Sequence, residues 1–267
     1  DMTACNYDST ATCDDGSCLM GEYSCGDFVS HEGYNYSTVQ IGDLCWFAEN
    51  CRYLPSVSPS SASSETSPYY YVYGYEGSTV AEAQATSNYE TYGVLYNWPA
   101  VMTEGICPSG WHIPSDGEWQ TMEISLGMSE SEAAQTGWRG SPVGDYMKST
   151  SGWNSGGNGS NSSGFTGLPG GGRYSGGFGV NGFSGYWWSA SESGSNSWRR
   201  ELFSLNDDVN RGNINQSSGF SARCVRDWCG CTDPSSSNYH PEAVGDDGSC
   251  ADCCGVANGD GSTCDGA

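Results

Sequence analysis

Cysteine is the residue type whose number and spacing carry the clearest chemistry in this chain. Of fourteen cysteines in 267 residues, six lie between positions 5 and 51, one is Cys107, and seven lie between positions 224 and 264. Such clusters are typical of chains that fold in an oxidising compartment. We predict a Cys5–Cys13 bridge and a Cys231–Cys250 bridge, the second closing a loop of about 20 residues worth roughly 3 kcal/mol. The chain is therefore expected to be extracellular, on a cell surface or in a surface appendage.

Residues that perform acid, base or nucleophilic catalysis do not form a recognisable motif. The three histidines, His31, His112 and His240, are scattered along the sequence. The sequence contains no nucleophile elbow, no HExxH pair and no phosphate-binding loop. His112, inside GWHIP, is expected to be a packed structural residue. We predict a protein that is not an enzyme.

Acidic residues offer a candidate calcium site, because Ca²⁺ prefers oxygen ligands. An alternative is that the Asp-Asp-Gly-Ser segments are turns, in which Asp caps backbone amides and Gly takes a positive φ. The sequence favours the turn and leaves calcium as the one candidate cofactor. The carboxylates concerned are Asp14, Asp15, Asp207, Asp208, Asp246 and Asp247.

Aromatic and amide side chains between positions 174 and 217 predict a ligand-binding face. Tyr and Trp supply contact area at low entropic cost, and Asn supplies adaptable hydrogen bonds. The predicted face consists of Tyr174, Phe178, Phe183, Tyr186, Trp198, Asn206, Asn210, Asn213 and Asn215. Other tryptophans are assigned to the core instead, namely Trp46, Trp111, Trp119, Trp187 and Trp188.

Four Asn-x-Ser triplets are candidate glycosylation sites in a secreted chain. They begin at Asn35, Asn158, Asn161 and Asn215. Such triplets also arise by chance in a sequence rich in Asn and Ser, so their use is left open.

The charge balance excludes two classes of partner. Acidic residues outnumber basic ones 32 to 9, for a formal net charge of -23 and a pI near 4.1. This balance repels phosphate backbones and anionic lipid surfaces, so we expect no nucleic-acid partner. No apolar run approaches the roughly 20 residues that span a bilayer, so membrane insertion is not expected, and no signal peptide is visible. The chain is expected to be a mature or excised segment.

Local patterns predict several strands and two helices. Capping boxes at Ser115 with Glu118 and at Ser129 with Glu132 predict helix starts. Ser/Pro-rich residues 56–68 and Gly/Ser/Asn-rich residues 151–185 are expected to be loops, the second ordered by its aromatic residues. The predicted strands are 38–41, 44–48, 93–98, 186–190, 198–205 and 220–225.

An internal repeat brackets the chain. Residues 1–18 match residues 233–250 at a constant offset, and both copies end in DDGSC. The second copy is preceded by Gly-Cys-Thr, so the chain is expected to begin inside a repeat. We therefore predict a partial disulfide-rich repeat at 1–25, a central domain at 26–228, a second disulfide-rich repeat at 229–250, and the start of a further Cys/Gly/Asp-rich module at 251–267.

Six motifs in the central domain occur in a fixed order. They are IGDLCWFAENCRYLP (41–55), YGVLYNWPAVM (92–102), CPSGWHIPSDGEWQTM (107–122), SGF with LPGGGR (163–173), GYWWSASE (185–192) and GFSARCVRD (219–227). This series resembles the Fibrobacter succinogenes major paralogous domain, common in secreted proteins of Bacteroidetes-type bacteria. The two repeat copies, at residues 1–18 and 233–250, resemble GCTDPxAxNYxxxAxxDDGSC modules of bacterial surface proteins.

The resemblance implies a fold and a bridge. The family looks similar to the C-type-lectin-like and formylglycine-generating-enzyme superfamily, which implies an α+β fold with two helices, a small twisted antiparallel sheet and long ordered loops. It also implies a disulfide between Cys107 and Cys224. Formylglycine-generating chemistry needs two close cysteines on a late strand, where this sequence offers only Cys224.

The sequence is compatible with three functions. The first is a non-catalytic adhesive or ligand-binding module of a longer repetitive surface protein, with a glycan or protein on another surface as partner. The second is a structural subunit of a filament, stalk or sheath whose contacts are to copies of itself. A minor third is an enzyme of the formylglycine-generating type.

Overall fold

A computed structural model describes residues 25–175, 177–226, 228–230, 235–236 and 243–246 of the protein. The predicted Cys5–Cys13 and Cys231–Cys250 bridges lie outside these residues, as do Asp14, Asp15 and Asp247. Asp246 is described only as part of a strand backbone. Within the described part of the chain, no helix has the length and apolarity to cross a membrane.

The described residues fall into two units. The larger comprises Cys25–Pro108 and Ile113–Val225, and the smaller contains Ser109–His112 and the described residues from Arg226 onward. In the smaller unit two short strands pair in parallel, with Cys229 opposite Gly245. The candidate site belongs to the larger unit.

Strands are numbered along the chain. They are β1 Val29–His31, β2 Tyr34–Tyr36, β3 Thr38–Ile41, β4 Leu44–Phe47, β5 Tyr70–Tyr71, β6 Leu95–Tyr96, β7 Trp111–His112, β8 Gly137–Arg139, β9 Gly172–Tyr174, β10 Gly177–Gly179, β11 Ser184–Ser193, β12 Asn196–Phe203, β13 Val209–Asn215, β14 Val225–Arg226, β15 Trp228–Gly230 and β16 Ala243–Asp246.

Helices are short. They are α1 Val80–Gln84, α2 Ser87–Tyr92, α3 Trp98–Val101, α4 Asp116–Ser125, α5 Glu130–Ala133 and α6 Val143–Met147, with a 3₁₀ turn at Asn154–Gly156. Together with the small antiparallel sheets, they confirm the α+β class.

The central element of the larger unit is a four-stranded antiparallel sheet in the order β11-β12-β13-β8. A second antiparallel arrangement joins the β3–β4 hairpin to the end of the domain, because Val225 pairs with Trp46. Both predicted strands at 38–41 and 44–48 are thus present, the second ending at Phe47.

Several predicted strands are shorter than expected. Of 93–98, only Leu95–Tyr96 is a strand, because Asn97 caps α3 through its side chain, which accepts from the amide of Ala100. Of 220–225, only Val225 lies in a strand, and Phe220 and Ser221 make single bridges to Tyr96 and Trp187. The predicted loop at 151–185 contains β9, β10 and the start of β11.

The predicted aromatic core is confirmed. Trp46, Trp119 and Trp187 have no exposed surface and pack around Phe165, with ring centroids of Trp46 and Trp119 4.9 Å apart. Trp188 is also fully buried, against Phe220. Trp111 of the smaller unit is buried too, whereas His112 is half-buried.

Two disulfides are described in the larger unit. One joins Cys107 and Cys224, the pair that the family resemblance implies. The other joins Cys25 and Cys45, a bridge that the sequence analysis did not predict. Cys51 is the free cysteine among the described residues, and it is buried.

Candidate ligand-binding face

The inner face of the four-stranded sheet is fixed to helix α4 by buried ion pairs. α4 begins at a complete capping box, in which Ser115 Oγ accepts from the Glu118 amide and Glu118 accepts from the Ser115 amide. Its Asp116 accepts from Arg200 at 2.7 Å and Arg211 at 2.6 Å. This anchoring holds β12 and β13 in a defined orientation.

A second acidic residue of α4 completes the inner cluster. Glu123, fully buried, accepts from Arg139 at 2.5 Å and from Arg200 at 2.6 Å. Burial alone would raise the pKa of Asp116, but the hydrogen bond from Arg211 and the charge of Arg200 lower that pKa below its usual value. The inner face is therefore a network of buried ion pairs that joins the sheet to α4.

The outer face of the same sheet is the candidate site. Strand alternation sends every second side chain to this side. Cross-strand register places Tyr186, Glu201, Asn210 and Trp138 in one row across β11, β12, β13 and β8. We define the outer face as Trp138, Arg199, Glu201, Phe203, Asn210 and Gly212, all of which share this side of the sheet.

The aromatic part of the outer face is partly open. Trp138 is 40% exposed, and its ring lies 6.2 Å from that of half-buried Phe203. Two aromatic rings beside each other on a rigid sheet form an apolar surface on which another molecule can pack.

The polar part of the outer face lies next to these rings. Arg199 Nη1 donates to Glu201 Oε2 at 2.9 Å and to Asn210 Oδ1 at 3.4 Å. Tyr186 Oη donates to Glu201 Oε1 at 2.8 Å, and the Arg199 guanidinium lies 5.2 Å from the centroid of the Tyr186 ring. The Arg199 and Glu201 charges compensate each other, so this polar patch carries donors and acceptors with little net charge.

Glycine at position 212 keeps the space above Arg199 open. Gly212 lies opposite Arg199 in the β12–β13 register. A Cβ placed at Gly212 would lie 3.2 Å from Asn210 Oδ1 and 3.5 Å from an Arg199 guanidinium nitrogen. A larger side chain here would cover the polar patch.

The structure does not gather the nine predicted ligand residues on one face. Asn210 belongs to the outer face, and Tyr186 lies in the same cross-strand row on that side of the sheet. Trp198 lies on the opposite side of β12, with the Arg211 guanidinium 3.9 Å from its ring centroid. Tyr186 is only 8% exposed and stacks on Phe220, so its ring offers little surface on which a ligand could pack.

The remaining predicted ligand residues occupy separate positions. Tyr174 is half-buried against Tyr186, and burial raises its pKa above the usual value. Phe178 packs on Tyr73 with ring centroids 5.1 Å apart, whereas Phe183 is 39% exposed.

The predicted asparagines outside the outer face bond to nearby chain segments. Asn206 accepts from the amide of Asp208. Asn213 and Asn215 are exposed near the end of β13, where Asn213 donates to Ser193 and Asn215 to Glu65. Trp138, which no local pattern distinguished, is the main aromatic residue that the sequence analysis missed.

Two of the carboxylates proposed for calcium, Asp207 and Asp208, have described side chains. Asp207 accepts from the ammonium group of buried Lys148 at 3.0 Å. Asp208 is half-buried beside it. Among the described residues, no group of three or more His, Cys, Asp and Glu side chains is arranged to hold a metal ion.

The four glycosylation triplets differ in exposure. Asn35, Asn158 and Asn215 are exposed. Asn161 is half-buried, donates to Thr166 Oγ1 at 3.1 Å and accepts from the Thr166 amide at 2.7 Å. A glycan on Asn161 would require these bonds to break, and one on Asn215 would disturb its bond to Glu65, so Asn35 and Asn158 are the better candidates.

The chain brings a second cysteine next to Cys224. Cys51 Sγ lies 3.5 Å from Cys224 Sγ, although 173 residues separate them. The segment after β4 runs beside residues 222–224 and so brings Cys51 to Cys224 from a distant part of the sequence.

Comparison with known proteins gives one result over most of this unit. No curated protein and no solved structure matches the chain. The family model of the Fibrobacter succinogenes major domain (Fib_succ_major) matches residues 39–226, a range that includes every residue of the outer face. The chain therefore belongs to the Fibrobacter succinogenes major domain family.

Proposed function

We propose that this chain is a non-catalytic, extracellular binding module of a longer bacterial surface protein, and that its outer face holds a glycan. The supporting observation is the juxtaposition of the Trp138 and Phe203 rings with the Arg199–Glu201–Asn210 patch. We further propose that the central domain has a C-type-lectin-like fold.

The chemistry of the outer face favours a neutral sugar. The apolar side of a pyranose presents C–H groups, which suit the negative face of an aromatic ring. Sugar hydroxyls both donate and accept, and the paired Arg199, Glu201 and Asn210 offer both kinds of group. A net charge of -23 disfavours polyanionic ligands.

The non-catalytic part of the proposal rests on the state of the cysteines. Cys224 is bonded to Cys107, and Cys51 is fully buried. The reactive pair expected of a formylglycine-generating enzyme would need both an accessible and an unbridged thiol. The disulfides also support an oxidising, extracellular location.

Glycan binding can be tested on an array of neutral oligosaccharides with the full chain. We expect Trp138→Ala to lower affinity by about tenfold or more, because it removes the most exposed ring of the face, and Gly212→Leu to have a similar effect by covering Arg199. Phe28→Ala is the matched control, since Phe28 is 71% exposed and lies outside the face. Thermal melts should show all three variants folded.

The alternative function, a structural subunit of a filament, stalk or sheath, predicts a different result in the same variants. Sedimentation of the wild-type chain would then show self-association that Trp138→Ala abolishes, and no array glycan would bind. Exposed apolar side chains such as Leu205, 66% exposed, support this second candidate. Binding of a protein but of no sugar would likewise overturn the glycan proposal.

Calcium remains a separate proposal for the acidic repeats. If the Asp-Asp-Gly-Ser segments bind Ca²⁺, calorimetric titration of the full chain should show binding that Asp246→Asn with Asp247→Asn weakens. Glycan affinity should not change, since neither residue is one of the six that define the outer face.

A further inference from the structure

A buried thiol lies against one sulfur of a disulfide in the larger unit. Cys51 and Cys224 both have no exposed surface, and their sulfurs are 3.5 Å apart. Cys224 is bonded to Cys107. Cys51 is thus adjacent to the one sulfur of that bridge whose attack would release Cys107.

Backbone hydrogen bonds hold the chain segments of Cys51 and Cys224 side by side. The amide of Cys51 donates to Ala222 O at 2.9 Å, and the amide of Phe47 donates to Cys224 O at 2.9 Å. These bonds hold residues 47–51 alongside residues 222–224. The sulfur contact therefore follows from backbone pairing and does not depend on a surface rotamer.

Cys51 and Cys107 differ in their accessibility to solvent. Cys51 is fully buried, whereas Cys107 is half-buried and lies two residues after exposed Gly105. A thiol moved from position 51 to position 107 would pass from the interior to a partly solvent-accessible site.

We propose that Cys51, Cys107 and Cys224 form an internal thiol–disulfide exchange relay that converts the buried Cys51 thiol into an accessible Cys107 thiol. Cys51 gives up its proton, and its sulfur bonds to Cys224 Sγ. The Cys107–Cys224 bond breaks, and Cys107 leaves with the electron pair and takes up a proton. The step is an isomerisation without net oxidation.

The surroundings of Cys51 set a slow rate at neutral pH. Burial raises the pKa of the Cys51 thiol to about 12, and the nearby Arg223 guanidinium opposes that rise. The phenols of Tyr36 and Tyr96 also face this thiol, and burial raises the pKa of both above the usual value. Since only the thiolate attacks, the rate should grow about tenfold per pH unit between pH 7 and 8.5.

Alkylation of the folded full-length chain with N-ethylmaleimide tests the relay, because it traps any thiol that becomes accessible. After timed incubation at pH 7, 7.5, 8 and 8.5, acid quenching and non-reducing digestion locate the label and the bridges. We expect label on Cys107 together with a new Cys51–Cys224 peptide, both rising about tenfold per pH unit. Cys51→Ser should abolish both signals.

The location of the label decides the outcome in the wild-type chain even if the variant folds poorly. Label on Cys51 with Cys107–Cys224 intact would mean local opening and would overturn the relay. Label on Cys107 that persists in folded Cys51→Ser would assign the attack to another thiol and would also overturn it. The relay would also be overturned if neither Cys51 nor Cys107 were labelled at pH 8.5.

Discussion

Asp116 shows how single residues position the outer face from behind. It is the shared acceptor for Arg200 and Arg211, whose strands carry Arg199, Glu201, Asn210 and Gly212 on their other side. Removing one partner of a buried ion pair leaves the others unpaired in a medium that solvates them poorly. The loss is larger than the net contribution of the intact pair.

We expect Asp116→Asn to lower the free energy of unfolding by about 3–5 kcal/mol, because Arg211 loses its charged acceptor and Arg200 keeps only one of its two, Glu123. Urea denaturation followed by tryptophan fluorescence measures this change. Glu130→Gln is the matched control, since Glu130 is an exposed acid in the first turn of α5. It should change the free energy of unfolding by less than about 0.5 kcal/mol. Equal effects of the two substitutions would contradict the proposed role of the buried pairs.

At the scale of elements, helix α4 supplies both carboxylates of the inner cluster, so its first turn matters for the sheet. The capping box satisfies two amides that would otherwise lack acceptors. α5 has a simpler cap, in which Ser129 accepts from the Glu132 amide at 3.3 Å.

We expect Ser115→Ala to lower the free energy of unfolding by about 1 kcal/mol, since it removes the acceptor for the Glu118 amide in a ten-residue helix. Ser129→Ala should have a smaller effect, because α5 is a single turn of four residues whose cap lies at its exposed start. Denaturant titration of both variants gives the comparison. A larger loss for Ser129→Ala would show that α4 does not depend on its cap.

Local signals predicted these helix starts, whereas the site depends on contacts between distant residues. Ser115 and Ser129 were identified because a cap and its partner are three residues apart. Trp138 reaches the outer face through pairing with Asn210, and Cys51 meets Cys224 across 173 residues. No short window of sequence contains both members of either pair.

Other differences have similarly physical causes. α1, α2, α3 and α6 span four to six residues, too short to show a helical repeat of apolar residues. The prediction placed Trp198 on the ligand face from its residue type and its position between residues 174 and 217. Its place in β12 sends it to the inner side, where it stacks on Arg211. Strand alternation decides such cases, and alternation requires the register.

At the scale of the whole molecule, the two described bridges restrain very different lengths of chain. Cys25 and Cys45 are 20 residues apart, whereas Cys107 and Cys224 are 117 apart. The shorter bridge joins the start of the larger unit to β4. The longer one ties the segment before α4 to the end of the domain and so encloses the entire four-stranded sheet.

Loop length predicts which bridge contributes more to stability. In the chain-entropy model, replacing Cys107 and Cys224 by Ala should lower the free energy of unfolding by about 1.5 kcal/mol more than replacing Cys25 and Cys45, because the longer loop restricts the unfolded chain further. Non-reducing urea denaturation of the two double variants measures the difference. Each pair is replaced by the same residue, so the comparison cancels much of the cost of truncation. An equal or larger loss for the short loop would show that native contacts at Cys25–Cys45, rather than chain entropy, determine how the bridges stabilise this molecule.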